Sequence, residues 1–205
     1  MSAPSHDTPV PTPFERVGWP ARTERLLLRP ITPADFRRLF EIRAIPSVTH
    51  WLTGRPATYE EYVERYGTPA RLASTLAMEL DDGSGTLIGD LFLAVETPYA
   101  QVEVREQAEN TQGIVGWLLD PAYAGRGYAT EAAAEMLRIC FEEMGLHRVV
   151  AGAFAENPAS LRVMEKIGLR IEGRAVRASL HRELGWQDTV EAAILAEEWR
   201  ARMAE

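Results

Sequence analysis

The chain has 205 residues, 46% apolar and 25% charged, the composition of one folded domain with a sizeable core rather than of a disordered or fibrous chain. Its 30 acidic side chains against 22 basic ones leave a formal charge of −8, the wrong sign for a protein that gains affinity by neutralising phosphates, so nucleic acid is excluded as the expected partner. A single cysteine, Cys140, rules out an internal disulfide, and the sequence lacks both a run of ~20 apolar residues and a basic-then-apolar leader, so no membrane span and a cytoplasmic location are expected.

In chain order, Pro4, Pro9, Pro11, Pro13 and Pro20 disfavour both helix and sheet, so residues 1–22 are expected to form an arm and 23–205 the folded domain. Glu24–Arg29 reads as a short strand closed by Pro30, and Thr32-Pro33 supplies an N-cap and a first-turn proline for a helix through Ile42. After an aromatic connection at His50-Trp51-Leu52, Thr58-Tyr59-Glu60-Glu61 resembles a capping box that opens a second helix toward Leu72. Leu76, Met78 and Leu80 alternate with Thr75, Ala77 and Glu79, and Asp81–Gly85 turns the chain into Leu87–Val95, which predicts a β-hairpin. Residues 96–112 are charged and aperiodic, a long connection or a ragged strand extension; Gly113–Leu119 is the next strand, ended by Asp120-Pro121.

Ala129, Ala132, Ala133, Met136, Leu137, Cys140, Phe141 and Met144 then define one helical face, with Cys140 a small buried hydrophobe on it and Gly145 the stop. A strand at Arg148–Phe154 precedes a short helix opened by Asn157-Pro158-Ala159-Ser160 and stopped at Gly168, with Lys166 in its last turn. Leu169–Leu180 and Gln187–Leu195 are extended and flank a turn at Glu183–Trp186, and the tail from Glu197 is a helical turn or two. This order, β-α-α-β-β-β-α-β-α-β-β, predicts an α/β (α+β) fold with a single mixed, mostly antiparallel central sheet flanked by helices, since it offers too few β-α-β repeats for a doubly wound sheet.

The segment from Asp120 to Thr130 carries the chemistry. Gly125, Gly127 and the small Ala129 let backbone N–H groups approach an anion where a helix begins and its positive end is free, which points to a phosphate-binding turn. A Walker A loop is excluded because Gly127-Tyr128 stands where Gly-Lys-Ser/Thr is needed. A dinucleotide fingerprint is met only in part, and the upstream hairpin argues against its architecture. A glycine-rich connection without a ligand is the remaining alternative on this motif alone.

Taken with its context, Gly116-Trp117-Leu118-Leu119-Asp120-Pro121-x-Tyr123-x-Gly125-Arg126-Gly127-Tyr128-Ala129-Thr130-Glu131, followed by Asn157-x-x-Ser160-x-x-Val163-x-Glu165-Lys166-x-Gly168-Leu169, resembles the two signature segments of the GCN5-related N-acetyltransferase (GNAT) superfamily. Arg25-Leu26-x-Leu28-Arg29-Pro30, Gly185-Trp186-x-Asp188 and Glu198-Trp199 are similar to its RimJ/RimL-type branch, and the likeness spans roughly residues 23–200. The resemblance implies acetyl-CoA as co-substrate, with the pantetheine arm along Trp117, Leu118 and Leu119 and the pyrophosphate on the amides of Gly125, Arg126, Gly127, Tyr128, Ala129 and Thr130. The Arg126 side chain is expected to add a charge contact. It also implies Asn157 as a cofactor contact, alongside its plain reading as a helix N-cap, and Ser160 as the group that assists the leaving thiolate. The family's turn usually opens with Gln or Arg, and Ala124 stands there instead, which implies weaker tuning of a grip made mainly by amides.

An amine attacking a thioester must be neutral, so a proton acceptor is needed within reach. His181, near a strand end and close to where some branch members place a carboxylate, is the leading candidate; Asp90, Glu103, Glu106 and His50 are the others, and ordered water can serve instead. The expected reaction is direct acetyl transfer to a primary amine, a protein N-terminus or a small amine, in a ternary complex, with a strand amide near Leu118 or Leu119 stabilising the tetrahedral intermediate. The acidic balance favours a cationic acceptor such as a peptide N-terminus, polyamine or aminoglycoside. No metal is expected, a homodimer is compatible with the resemblance, and the alternative function is a CoA-binding sensor or interaction module of the same fold.

Overall fold

The computed structural model describes Phe14 and residues 17–204. Eight strands form one sheet in the order β1-β2-β3-β4-β5-β6-β8-β7: β1 (Ala21–Arg22), β2 (Leu26–Pro30), β3 (Thr75–Leu80), β4 (Leu87–Glu96), β5 (Gln112–Leu119), β6 (Arg148–Phe154), β7 (Arg170–His181) and β8 (Gly185–Leu195). Every neighbouring pair is antiparallel except β5 and β6, which is parallel. The sheet is therefore the mixed, mostly antiparallel one expected. No helix among the described residues is long and apolar enough to cross a membrane.

Strand alternation sends side chains to two cores. On one face Leu26, Leu28, Leu91, Leu93, Val115, Val149 and Ala192 pack against α6 (Tyr128–Arg138) through Ala132, Ala133, Met136 and Leu137. On the other, Ala77 and Leu118 pack against α1 (Phe36–Ala44) and α3 (Tyr59–Tyr66) through Phe36, Leu39, Ile42 and Tyr62. Cys140 is fully buried as expected, and that burial raises its thiol pKa, so it carries no thiolate chemistry.

Several elements differ from their sequence-based expectations. The first helix opens with a 3₁₀ turn at Pro33–Asp35 and becomes α-helical only from Phe36, because the Asp35 carboxylate turns back to the Thr32 amide at 2.7 Å and to Arg29 at 2.8 Å. A one-turn helix, α2 (Pro46–Thr49), precedes the aromatic connection. The helix expected to reach Leu72 breaks at Gly67-Thr68-Pro69 into α3 and the short α4 (Pro69–Leu72), since the proline cannot extend the preceding turn. Within 96–112 the chain makes a 3₁₀ turn at Val102–Val104 and α5 (Arg105–Ala108). Beyond α6 the helix widens into a π segment at Ile139–Glu143 before Gly145 stops it at φ 68°. The chain then runs through α7 (Pro158–Lys166) and ends in α8 (Ala196–Met203).

The expected arm lies mostly outside the described residues. Its last part is on the body: Phe14 and Val17 are buried in the α6-side core, Trp19 Nε1 donates to the Phe14 carbonyl at 2.9 Å, and Ala21 and Arg22 pair with Leu28 and Leu27. The sheet thus begins inside the segment assigned to the arm.

Candidate active site

β5 and β6 pair only at Gln112–Ile114 with Arg148–Val150, then part, while β5 continues to Leu119 and β6 to Phe154. The opening is a cleft of about 1210 Å³ that reaches from the start of α6 to the α2 loop. Trp117, Leu118 and Leu119 line it. Asp120 N–H bonds to Ile88 O on the β4 side, so by the alternation of an extended strand the amides of Leu119 and Trp117 point to the open edge where β6 has left. The free edge offers a main-chain ladder to an extended ligand.

At one mouth lies the glycine turn. Gly125 and Gly127 take φ values of 75° and 86°, a region that costs an L side chain strain, and Gly127 is the N-cap residue of α6. The first intrahelical bond runs from Glu131 N to Gly127 O, so the amides of Tyr128, Ala129 and Thr130 stand ahead of it, and no side chain caps them. Gly125, Gly127, Tyr128, Ala129 and Thr130 all line the cleft. Unpaired amides, a left-handed glycine cradle and the positive helix end together fit a diphosphate. The Arg126 guanidinium lies 5.9 Å from the centre of the Tyr123 ring, and its carbonyl accepts from Arg25 Nη1. Ala124 lines the cleft with no polar atom to offer in its side chain.

Arg25 holds this turn from behind. It donates Nη1 to the Arg126 carbonyl at 2.9 Å and Nε to Glu131 at 2.7 Å, and its backbone N–H reaches the same carboxylate at 2.8 Å. Its guanidinium also lies 4.5 Å from the Tyr128 ring centre. Burial pulls the Glu131 pKa up, but hydrogen bonds from Thr23 and Arg25 outweigh it and keep the carboxyl below its ordinary value.

Across the cleft, α7 presents Asn157 and Ser160. Asn157 Oδ1 accepts from the Ser160 amide at 3.2 Å and its Nδ2 donates to Ser160 Oγ at 3.2 Å. The residue is therefore a helix cap and a support for Ser160 at once. Because Ser160 Oγ is the acceptor in that bond, its proton is free to be donated into the cleft.

The candidate bases fare differently. His181 is buried outside the lining: Nδ1 accepts from the amides of Glu183 and Leu184, each at 3.1 Å, so Nε2 carries the proton and donates to His50 O at 2.6 Å. Both ring nitrogens are thus engaged within the protein. Instead the β7–β8 tip acts as a strap: Arg182 donates to the carbonyls of Thr49 and Leu52, and Glu183 pairs with His50 Nδ1 at 3.0 Å. Its effect is to hold Trp51, whose ring lies 5.6 Å from His181 and 6.0 Å from Phe154. Asp90 is buried against Arg43 at 2.7 Å, while Glu103 and Glu106 are exposed on the 96–112 connection; none of these lines the cleft.

Glu191 and Arg174, which the sequence did not mark, do line it. Glu191 lies opposite Gly152 on β6 and Gly173 on β7, and Arg174 is tied to Asp188 at 2.8 Å. The only signal for Glu191 is the register across three strands, which no local pattern contains.

Comparison with known proteins agrees with this geometry. Residues 25–170 match the acetyltransferase (GNAT) domain family. The chain is 45% identical over 85 residues to the uncharacterized N-acetyltransferase YnaD of Bacillus subtilis (strain 168), covering 42% of this chain and 49% of that one; there the chain spans about half the length of its curated relative. The crystal structure of an acetyltransferase (GNAT family) from Bacillus anthracis superposes with a TM-score of 0.72 at 31% identity over 86% of this chain and 98% of that one. Mycobacterium smegmatis RimJ in complex with CoA-disulfide superposes with a TM-score of 0.69 at 27% identity over 88% and 90%. With the parted strands, the glycine turn and the matched segment in agreement, the chain belongs to the GNAT family of acetyl-CoA-dependent N-acetyltransferases, in its RimJ/RimL-like part.

Proposed function

We propose that the protein transfers the acetyl group of acetyl-CoA directly to a primary amine, a peptide N-terminus or a small amine, in a ternary complex. The observation that carries this reading is a single cleft with an uncapped helix N-terminus at one mouth and an aromatic opening at the other. The turn binds the diphosphate, the free edge of β5 pairs with the pantetheine arm, and the thioester reaches the level of Leu118 and Leu119.

An ammonium acceptor loses one proton to water or to a carboxylate at the open mouth, and its nitrogen lone pair forms the C–N bond. The Leu119 amide, turned toward the free edge, stabilises the oxyanion that develops. As the C–S bond breaks, its electron pair leaves on sulfur, which takes a proton from Ser160; solvent restores that proton, and the second ammonium proton departs with the collapse of the intermediate. The net products are amide, CoA thiol and one proton. His181 has no part in proton transfer and acts by positioning the Trp51 loop.

A homodimer belongs to the same proposal, supported by the exposed Ile171, Val176, Leu180 and Trp186 on the edge hairpin, and sedimentation measures it. The reading as a whole is tested by following free thiol release from acetyl-CoA with an amine panel, alongside calorimetric CoA binding. Turnover with any amine supports transfer, CoA binding without turnover supports a sensor or interaction module, and no binding refutes both.

A further inference from the structure

The transferase reading above leaves the acceptor the mouth that the turn does not occupy, and strand alternation decides what stands there. Val149 and Ala151 of β6 pack toward α6, so Gly152 and Phe154 point to the opposite face. Glu191 is in register with Gly152 on one side and Gly173 on the other, which puts all three on that same face. Trp51 closes the opening above Phe154.

Three features of this mouth select the kind of amine. Among the described residues lining the cleft, Glu191 is the single carboxylate, and the Arg148 guanidinium already lies 3.8 Å from it. An acceptor with several ammonium groups would leave all but one without a counter-charge while losing their water. Trp51 and Phe154 offer aromatic surface that an apolar group can bury.

The third feature is the floor. Gly152 and Gly173 sit inside strands, neither at positive φ; a Cβ at Gly173 would meet nothing within 4 Å, and one at Gly152 only the Val190 carbonyl at 3.6 Å. Gly173 adjoins the β-bulge that interrupts β7 between Ile171 and Gly173, whereas Gly152 lies in unbroken register with β8, where neither backbone conformation nor packing requires glycine. A strand glycine outside a bulge or bend fits the close approach of another molecule, and the glycine beside it leaves the same floor bare.

We infer that the acceptor is a primary amine with one positive charge and an aromatic or branched apolar group within a few bonds of the nitrogen. It lies on the Gly152–Gly173 floor against Trp51 and Phe154, with Glu191 as counter-charge to the ammonium. The chain's charge of −8, which favours polyamines in general, is not gathered in the cleft. The same chemistry belongs to an apolar N-terminal residue of a peptide and to a free arylalkylamine.

The test uses the full chain with saturating acetyl-CoA and four acceptors: phenethylamine, the peptide Phe-Ala-Ala, spermidine and kanamycin. Phenethylamine or Phe-Ala-Ala is expected to exceed spermidine and kanamycin at least tenfold in kcat/KM, and the higher of the two names the source. Gly173→Val, which meets open space in the fold, is expected to raise the amine KM at least tenfold while the melting temperature and the acetyl-CoA KM stay the same. Trp51→Ala is expected to abolish the preference and Trp51→Phe to keep most of it. Spermidine or kanamycin matching the apolar amines, or an amine KM unmoved by Gly173→Val, overturns this inference and leaves the transferase reading standing. CoA binding with no thiol release from any of the four amines overturns both.

Discussion

Arg25 and Glu131, 106 residues apart in sequence, meet in an ion pair in which the guanidinium and the backbone N–H of one residue both reach the carboxylate of the other. The same guanidinium bonds the Arg126 carbonyl inside the glycine turn. The lead-in to β2 is thereby fastened to the first turn of α6 and to the glycine turn that we propose holds the diphosphate.

Arg25→Ala is therefore expected to weaken CoA binding roughly five- to twentyfold. Turnover of S-acetyl-pantetheine, which has no diphosphate, is expected to be unchanged. Calorimetry and thiol-release kinetics with the two thioesters check this, and an equal loss with both would show that Arg25 only supports the fold.

Glu131 supplies a pH dependence of known sign. Its carboxyl is held below its ordinary pKa in the folded protein, so its stabilising contribution is present at neutral pH and is lost as pH falls through that depressed value. Glu131→Gln is expected to melt lower than the wild type at pH 7, with the difference beginning to narrow below about pH 5, as the unfolded carboxyl takes up protons, and closing only below the depressed folded-state value. Melting temperatures measured from pH 7 to pH 3 decide it.

Gly127→Val combines two penalties: a β-branched residue at φ 86° and a Cβ placed 3.4 Å from the Arg25 guanidinium. Strain of about 1–3 kcal/mol is expected in stability. CoA affinity is expected to fall by more than tenfold, because the turn amides shift. Gly125→Ala, with open space around the Cβ, pays only the conformational part and serves as the comparison.

Ser160→Ala is expected to lower kcat roughly ten- to hundredfold, in the range of general acid catalysis, with CoA affinity intact. Asn157→Ala removes both the N-cap and the support of the serine, so it is expected to cost about 1 kcal/mol of stability as well. A Ser160→Ala enzyme with full kcat would take the serine out of the leaving-group role.

His181→Ala distinguishes a brace from a base. The expected result is a higher KM for the amine and a lower melting temperature, with the limbs of the pH–rate profile where they are in the wild type. Loss of one limb in the variant would restore His181 to the chemistry.

Much of this architecture was legible locally. The alternation of Leu76, Met78 and Leu80, the helical face from Ala129 to Met144 and the stop at Gly145 depend on neighbours three or four residues away at most, and the structure follows them. The glycine turn was legible for the same reason, since a left-handed glycine at a helix start is a local property. Pro69 cuts one helix in two because its ring and missing N–H stop the preceding turn, however well the capping box at Thr58 starts it.

His181 shows the limit. Its residue type and its place near a strand end suited a base, but the use of both ring nitrogens was settled by the His50 carbonyl, 131 residues away, and by two amides of its own turn. Glu191 and the glycines beside it come together only through the register of β6, β7 and β8. The sequence by itself determined the sheet's elements and the glycine turn, because helix periodicity, strand alternation and glycine conformations are short-range. The tertiary structure alone decided which side chains face the cleft and which serve as braces, because those roles depend on contacts between residues that the chain order keeps far apart.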